Sequence, residues 1–218
     1  MKMRSASAAS AMSFARGFYA VLDRDDEALA RTLAAHADVL QIRIKPGTAD
    51  EILRVARMAR RVCDETGTLL FVNDRIDLAL AAGADGVHLG QTDMPLAEAR
   101  SLVGDRLKIG ISTHDLAQME TACAGQPDYA AFGPVFTTRT KTNPEPVVGV
   151  AALAAAVRVA GDVPVVAIGG ITPRHGSAVF AAGASAICAI SGVNDAPDVG
   201  VAARCLSRRG VASSPAGE

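Results

Sequence analysis

The chain has 218 residues, enough for one large domain or two small ones. Its 22 Lys+Arg nearly balance 23 Asp+Glu, so nothing in the bulk charge draws it to nucleic acid or an anionic membrane. Trp is absent and aromatics make up 4%, which leaves little for a base-stacking platform, and no apolar run approaches the length of a membrane span.

Residues 1–16 are Ala/Ser-rich, basic and free of acid, and are expected to be a disordered extension. A first strand is predicted over FYAVLD, starting at Phe18, and a helix over 26–36. VLQIRI, from Val39, reads as a second strand, and a long helix follows over 48–66, with Thr48, Asp50 and Glu51 as start signals and Gly67 as stop. LLFVN, from Leu69, is the third strand, RIDLALAAG a helix closing on Gly83, and GVHLG the fourth strand. Pro95 suits the first turn of a fourth helix. KIGIS from Lys108, the residues from Tyr129 to Gly133, PVVAI from Pro164 and the residues from Ala186 to Ile190 supply strands five to eight. Helices are predicted between them, near 114–124, 149–160 and from Thr172, with a last one over 196–207.

Eight β/α pairs without a linker predict a single-domain α/β fold, a (β/α)₈ TIM barrel over 17–209, with a loose tail over 210–218. The competing fold is an open doubly wound sheet, which usually carries a G-x-G-x-x-G turn after its first strand; here Asp23-Arg24-Asp25-Asp26 stands there. Cys63, Cys123, Cys188 and Cys205 lie too far apart in sequence for a metal knuckle or a redox pair. They read as small buried hydrophobes in a reducing compartment, so a cytoplasmic location is expected.

Barrel function sits at the C-terminal rim, so the residues after each strand carry the chemistry. Asp74 and Asp93 follow the third and fourth strands of one parallel unit and share that rim. Two hard oxygen ligands suit Mg²⁺, whose other positions go to water and phosphate. Taken alone, both aspartates are better explained as turn or cap residues. Gln41, Arg43 and Lys45 alternate on the second strand and so face one side, where cations are costly unless they meet anions. Ser112-Thr113-His114 follow the fifth strand, and a long polar loop over 134–148 holds Thr137, Thr138, Thr140 and Lys141. Gly169-Gly170 and Ser191-Gly192 after strands seven and eight, each before a helix start, describe the phosphate cradle of such barrels. His88 falls within a strand, His36 and His175 read as surface or loop residues, and His114 either caps a helix or reaches the rim. No Ser-His-Asp, Cys-His or zinc pattern is visible.

The stretches QIRIK (41–45), NDRIDLALAAGADGVHLGQTDMP (73–95), IGISTH (109–114), FGPVFTTRTK (132–141), VVAIGGIT (165–172) and AIS (189–191) resemble thiamine phosphate synthase. The resemblance implies a transferase of thiamine biosynthesis. It would condense 4-amino-2-methyl-5-(diphosphooxymethyl)pyrimidine with a thiazole phosphate and release diphosphate through a pyrimidine carbocation. It implies that Gln41, Arg43, Lys45, Asn73 and Lys141 hold the pyrimidine diphosphate and that Asp74 and Asp93 bind Mg²⁺. Ser112 would contact the pyrimidine, and Thr138, Thr140, Gly170, Ile190 and Ser191 would hold the thiazole phosphate. Arg43, Lys45, Ser112 and Lys141 would carry the catalytic work. The implied partners are these small-molecule substrates, with no nucleic acid and no membrane, and a homo-oligomer is left open. Leu22, Pro46, His175 and Gly192 depart from residues common in the family without removing a named ligand.

Two other readings stay open. A thiazole tautomerase on the same barrel also resembles the chain, through IGGITP and the Ser-Gly after the last strand. That family tends to lose the metal aspartates and the T-x-T-K set, and carries a histidine where this chain has Pro134. A non-catalytic sensor of phosphate ligands would need no paired carboxylates.

Overall fold

The computed structural model describes residues 17–138 and 145–207. Eight strands close into a barrel in sequence order: β1 (Phe18–Leu22), β2 (Val39–Ile42), β3 (Leu69–Asn73), β4 (Gly86–Leu89), β5 (Lys108–Thr113), β6 (Tyr129–Phe132), β7 (Val165–Ile168) and β8 (Ala186–Ala189). Every neighbouring pair is parallel, and β8 returns to β1 with Tyr19 opposite Cys188. The closed barrel is the fold expected from the sequence, and it excludes the competing open sheet.

Helices α1 (Glu27–Ala34), α2 (Ala49–Thr66), α3 (Ile76–Ala82), α4 (Leu96–Val103), α5 (Leu116–Ala124), α6 (Gly149–Ala160) and α7 (Gly176–Ala181) connect the strands. Two more, α8 (Ser191–Asn194) and α9 (Val199–Leu206), follow β8. In α2, Thr48 and Glu51 form the reciprocal capping box that the sequence signals, and Gly67 ends the helix at φ 73°. The buried side of α2, Val55, Ala56, Met58, Ala59, Val62 and Cys63, recurs at helical spacing and packs on the outer face of the strands. No helix among the described residues is long and apolar enough to cross a membrane.

The two strand faces separate two cores. Phe18, Ala20 and Leu22 point outward into the helix layer, whereas Tyr19 and Val21 point into the lumen. The lumen is filled by Tyr19, Val21, Val39, Phe71, Tyr129, Ala131, Val166, Ala186 and Cys188. Gly110 makes room for one of the large rings: a Cβ there would lie 2.0 Å from the Tyr129 ring. Aromatic bulk at the bottom leaves the top open, which is what raises the site to the rim.

The helix expected over 196–207 is present as α9, and an additional short helix, α8, precedes it. Ser191 begins a one-turn helix directly after β8, and α9 starts only after Asp198, whose carboxylate caps Val201 N at 2.8 Å. The segment before α7 likewise opens as a 3₁₀ turn, Pro173–His175. The expectations for 1–16, for the tail from 210, and for Thr140 and Lys141 lie outside the described residues.

Candidate active site

The C-terminal ends of the strands surround a cavity of about 390 Å³. It is lined by Gln41, Arg43, Lys45, Asn73, Asp74, Asp93, Ser112, Thr138, Gly170, Ile190 and Ser191, every described residue proposed for the site from sequence. A volume of this order suits a small-molecule ligand.

The floor is polar but fully tied down. Tyr19 donates its hydroxyl proton to Gln41 Oε1 at 2.8 Å, and Gln41 Nε2 donates to Asn73 Oδ1 at 3.2 Å. The Tyr19 and Tyr129 hydroxyls lie 2.7 Å apart, and Tyr129 meets His88 Nδ1 at 2.7 Å. His88 Nε2 lies 2.8 Å from Ser112 Oγ. The His88 ring stacks on Tyr129 with centroids 5.6 Å apart. Burial pushes both tyrosine pKa values well above the ordinary value, so both phenols stay protonated. Gln41 is thus bonded on two sides, to Tyr19 and to Asn73.

The rim over β2–β4 is charged. Arg43 N bonds to Leu22 O at 2.9 Å, which continues the β1–β2 ladder and carries the strand's alternation up to the cavity. Arg43 forms no ion pair among the described residues, while Lys45 Nζ meets Asp74 Oδ2 at 2.6 Å. Asp74 holds a left-handed φ of 63°, rare for a non-glycine residue. Arg75 N reaches back to Asn73 O at 2.8 Å, which makes Asp74 the centre of a γ-turn. Such strain persists where surrounding bonds fix it; here Asp74 N bonds to His88 O at 2.8 Å. Asp93 accepts from Gly90 N at 2.6 Å and lies against Asp74. Its pKa is raised, first by burial and then by the Asp74 carboxylate, against the lowering effect of the Gly90 N–H and Lys45. Two carboxylates pressed together in a half-buried site are a liability unless a cation joins them. They form a pair rather than a cage: among the described residues no three of His, Cys, Asp and Glu come together as metal ligands.

The rim over β6–β8 is built from backbone. After Gly133-Pro134, Val135 N and Phe136 N bond to Ile168 O and Gly169 O, both at 2.9 Å, so the loop after β6 runs alongside the end of β7. Gly170, at φ 64°, lies under this loop; a Cβ there would come within 2.3 Å of Thr137 O. His175 is not a free surface residue. Its ring stacks on Phe136 with centroids 3.9 Å apart, and Nδ1 accepts from Thr172 N at 3.2 Å. It therefore ties the β6 loop to the β7 loop. Ser191 opens α8, the short extra helix that barrel phosphate sites commonly use. His114 does not cap α5; Asp115 does, while His114 Nδ1 donates to Gly133 O at 2.6 Å and the ring lines the cavity.

Tyr19, His88 and Tyr129 are the site residues that the sequence reading missed. A Ser-His pair does exist at Ser112 and His88, but a phenol stands where a triad would place a carboxylate. One signal was available: the chain has 2 tyrosines, and both fall at lumen positions of strands.

A (β/α)₈ barrel with a charged, carboxylate-bearing half-rim facing a glycine-rich half-rim is an enzyme scaffold for phosphorylated small molecules. The family model described as thiamine monophosphate synthase matches residues 18–193. The thiamine-phosphate synthase of Methanoculleus marisnigri is 44% identical over 190 residues, 87% of this chain and 90% of that protein. That of Laribacter hongkongensis is 40% identical over 174 residues, 80% of this chain and 82% of that one. Among solved structures, a thiamine phosphate pyrophosphorylase from Pyrococcus furiosus aligns with a TM-score of 0.80 at 34% identity, covering 90% of this chain and 96% of that chain. This chain belongs to the thiamine monophosphate synthase family, and it is a transferase of thiamine biosynthesis.

Proposed function

We propose that the chain carries out the family's condensation with a fixed division of labour around the rim. The charged half over β2–β4 takes the pyrimidine diphosphate, and the backbone half over β6–β8 takes the thiazole phosphate. The observation that carries this reading is that both halves open on one cavity, so two phosphorylated substrates can meet there.

Gln41, Arg43, Lys45 and Asn73, with Lys141 from the loop after β6, hold the diphosphate; Ser112 holds the pyrimidine. Thr138, Thr140, Gly170, Ile190 and Ser191 hold the thiazole phosphate. The bond between the pyrimidine methylene carbon and the diphosphate oxygen breaks, and the electron pair leaves with the diphosphate. The thiazole nitrogen then forms the new C–N bond to the methylene cation. The protein supplies neither nucleophile nor strong base in this scheme; its residues neutralise the leaving charge and align two rings.

The residues fit Mg²⁺. Asp74 and Asp93 are hard oxygen donors; burial and then repulsion by Asp74 raise the Asp93 pKa, and a divalent cation relieves that repulsion. Bound there, Mg²⁺ would supply charge neutralisation on the departing diphosphate. We place the protein in the cytoplasm, in keeping with free Cys63, Cys123, Cys188 and Cys205.

The direct test mixes protein, Mg²⁺ and both substrates and follows diphosphate and thiamine phosphate together. Both are expected in equal amounts; no product above background removes the reading. A tautomerase would instead isomerise the thiazole phosphate without Mg²⁺.

A further inference from the structure

The segment after β8 is held from behind by a small polar network that the proposed reaction does not use. Helix α8, Ser191–Asn194, has four residues and is too short to persist by its own backbone bonds. Two buried side chains anchor it, Val193 and Asn194. Val193 packs among the apolar residues of the helix layer. Asn194, 3% exposed, reaches the end of β1: Nδ2 donates to Val21 O at 2.9 Å and to Asp23 Oδ1 at 3.1 Å. Arg24 closes the network from the β1 side, donating from Nη2 to Asn194 O at 2.9 Å. Its Nη1 lies 3.2 Å from Asp23 Oδ1 and 3.6 Å from Asp195 Oδ1. We infer that Asn194 and Arg24 are positioning residues for the thiazole phosphate: together they latch α8 to the end of β1 and so set where the Ile190–Ser191 backbone meets that phosphate. This role rests on the proposed placement of the thiazole phosphate at Gly170, Ile190 and Ser191.

The barrel register shows what the latch adds. β8 is paired with β1 as far as Ala189, opposite Ala20. There the backbone of β8 leaves the sheet and turns into α8, and Ile190, Ser191 and Gly192 line the cavity. Val21 is the next residue of β1, and its carbonyl accepts from the Asn194 side chain. The amide thus carries the β1–β8 seam one step beyond the point where β8 departs. On its other side α8 has no slack: a Cβ on Gly192 would lie 2.4 Å from Ile171 O. The loop after β7 therefore blocks movement one way, and the latch prevents movement the other way. Apolar packing at Val193 fixes depth but is not directional, whereas the hydrogen bonds of Asn194 and Arg24 fix the orientation of the turn.

Asn194 is not the most stabilising choice for its place. Its Oδ1 is buried and has no hydrogen-bond partner among the described residues. A buried acceptor left unbonded costs stability. An apolar residue would fill the same space without that penalty, but it could not bond to Val21 O and Asp23. The orphaned oxygen marks a site where position outweighs stability.

Steady-state kinetics of Asn194→Ala and Arg24→Ala, with each substrate varied in turn, tests this role. Each variant should raise the KM for thiazole phosphate about 10-fold while the KM for the pyrimidine diphosphate stays within about 2-fold, because only the backbone beside the thiazole phosphate is released. Asn194 carries no charge, so its share of the effect is not long-range attraction of the phosphate. Both residues act through α8, so the double variant should raise KM little beyond the larger single effect rather than multiply the two. Arg24→Lys keeps a donor for Asn194 O and should recover most of the loss. Arg24 is half-exposed, so Arg24→Ala leaves the core packed and decides the matter if Asn194→Ala folds poorly. An unchanged thiazole phosphate KM in either folded variant overturns the role, as does an equal rise for both substrates, the mark of a general loss of structure. If the wild type forms no thiamine phosphate, the functional reading falls instead. Calorimetric titration of thiazole phosphate into the wild type and Arg24→Ala then decides the role by itself: a Kd about 10-fold weaker in the variant is expected, and equal values, or no binding by either protein, overturn it.

Discussion

In the proposed division of labour, the two halves of the rim would hold phosphate groups by different physics. Over β2–β4 the means are side chains: Arg43, the Lys45–Asp74 pair and the Asp93 carboxylate. Over β6–β8 they are main chain: Gly169 and Gly170 at positive φ, the β6 loop laid across them, and the start of α8 at Ser191. Formal charges with a metal suit a group that leaves with developing charge. A cradle of fixed amides suits a phosphate that is carried through the reaction unchanged and only has to be positioned. The contrast also separates what each half tolerates. The charged half should lose chemistry when a carboxylate is removed, and the backbone half should lose binding when space is taken away.

The sharpest test of that contrast is Asp93→Ala. It should lower kcat by roughly 10²–10³-fold and raise the Mg²⁺ requirement, since the metal's share of charge stabilisation amounts to several kcal/mol. The KM for thiazole phosphate should stay within about 2-fold, because Asp93 serves the other half of the rim. Steady-state kinetics across a Mg²⁺ series checks this; normal turnover at limiting Mg²⁺ would end the metal role of Asp93. Gly170→Ala is the counterpart. Its φ of 64° and the 2.3 Å approach to Thr137 O leave no room for a methyl group, so the β6 loop must move. The KM for thiazole phosphate should rise about 10-fold or more, and the αL penalty of roughly 1–2 kcal/mol should lower Tm by several degrees. An effect on the pyrimidine KM alone would contradict the division between the halves.

The charged half was legible in the sequence because its signals are local. Asn73-Asp74 and Gln91-Thr92-Asp93 interrupt apolar runs, and Gln41, Arg43 and Lys45 alternate along a single strand. Eight strand-helix repeats then put all of them on one rim. The cavity floor was not legible, because Tyr19 and Tyr129 bond across 110 residues of separation, and a single sequence gives no barrel register. The coupling of Phe136 to His175 was hidden for the same reason: a stack between two loops leaves no periodic trace. Helix α8 was missed because four residues carry too little pattern against the stronger cap at Asp198.

A quieter test lies in the protein without metal. The raised pKa of Asp93 means that the folded state holds a proton there more tightly than the unfolded chain does. That contribution to stability is complete below the ordinary carboxylate pKa and is lost as pH rises through the folded value. At neutral pH the ionised pair is therefore a burden, and Asp93→Asn should raise the metal-free Tm by on the order of 1–3 °C while turnover falls. The amide oxygen can still accept from Gly90 N, which keeps the comparison clean. Calorimetry with chelator decides it; a lower Tm for the variant would mean that the carboxylates do not repel.

The smallest expected effect belongs to the backbone half and has the opposite sign in pH. His175 has a lowered pKa, first because it is buried against Phe136 and then because Arg174 is adjacent, partly offset by its bond to the Gly170 backbone. A histidine whose folded pKa is depressed favours the unfolded chain once protons become available. Its destabilisation is absent above the ordinary histidine range and sets in as pH falls through it. Protonation would also turn Nδ1 from acceptor to donor and break the bond from Thr172 N that fixes the start of the turn before α7. His175→Asn should therefore flatten the fall in Tm between neutral and mildly acidic pH. His36, lowered by burial and by Arg204, keeps the remainder of that slope. Affinity for thiazole phosphate should show the same flattening, because His175 holds together the two loops that form its cradle. The pyrimidine KM, set on the other side of the barrel, should not follow it, and a parallel change there would mean that the two halves are mechanically one.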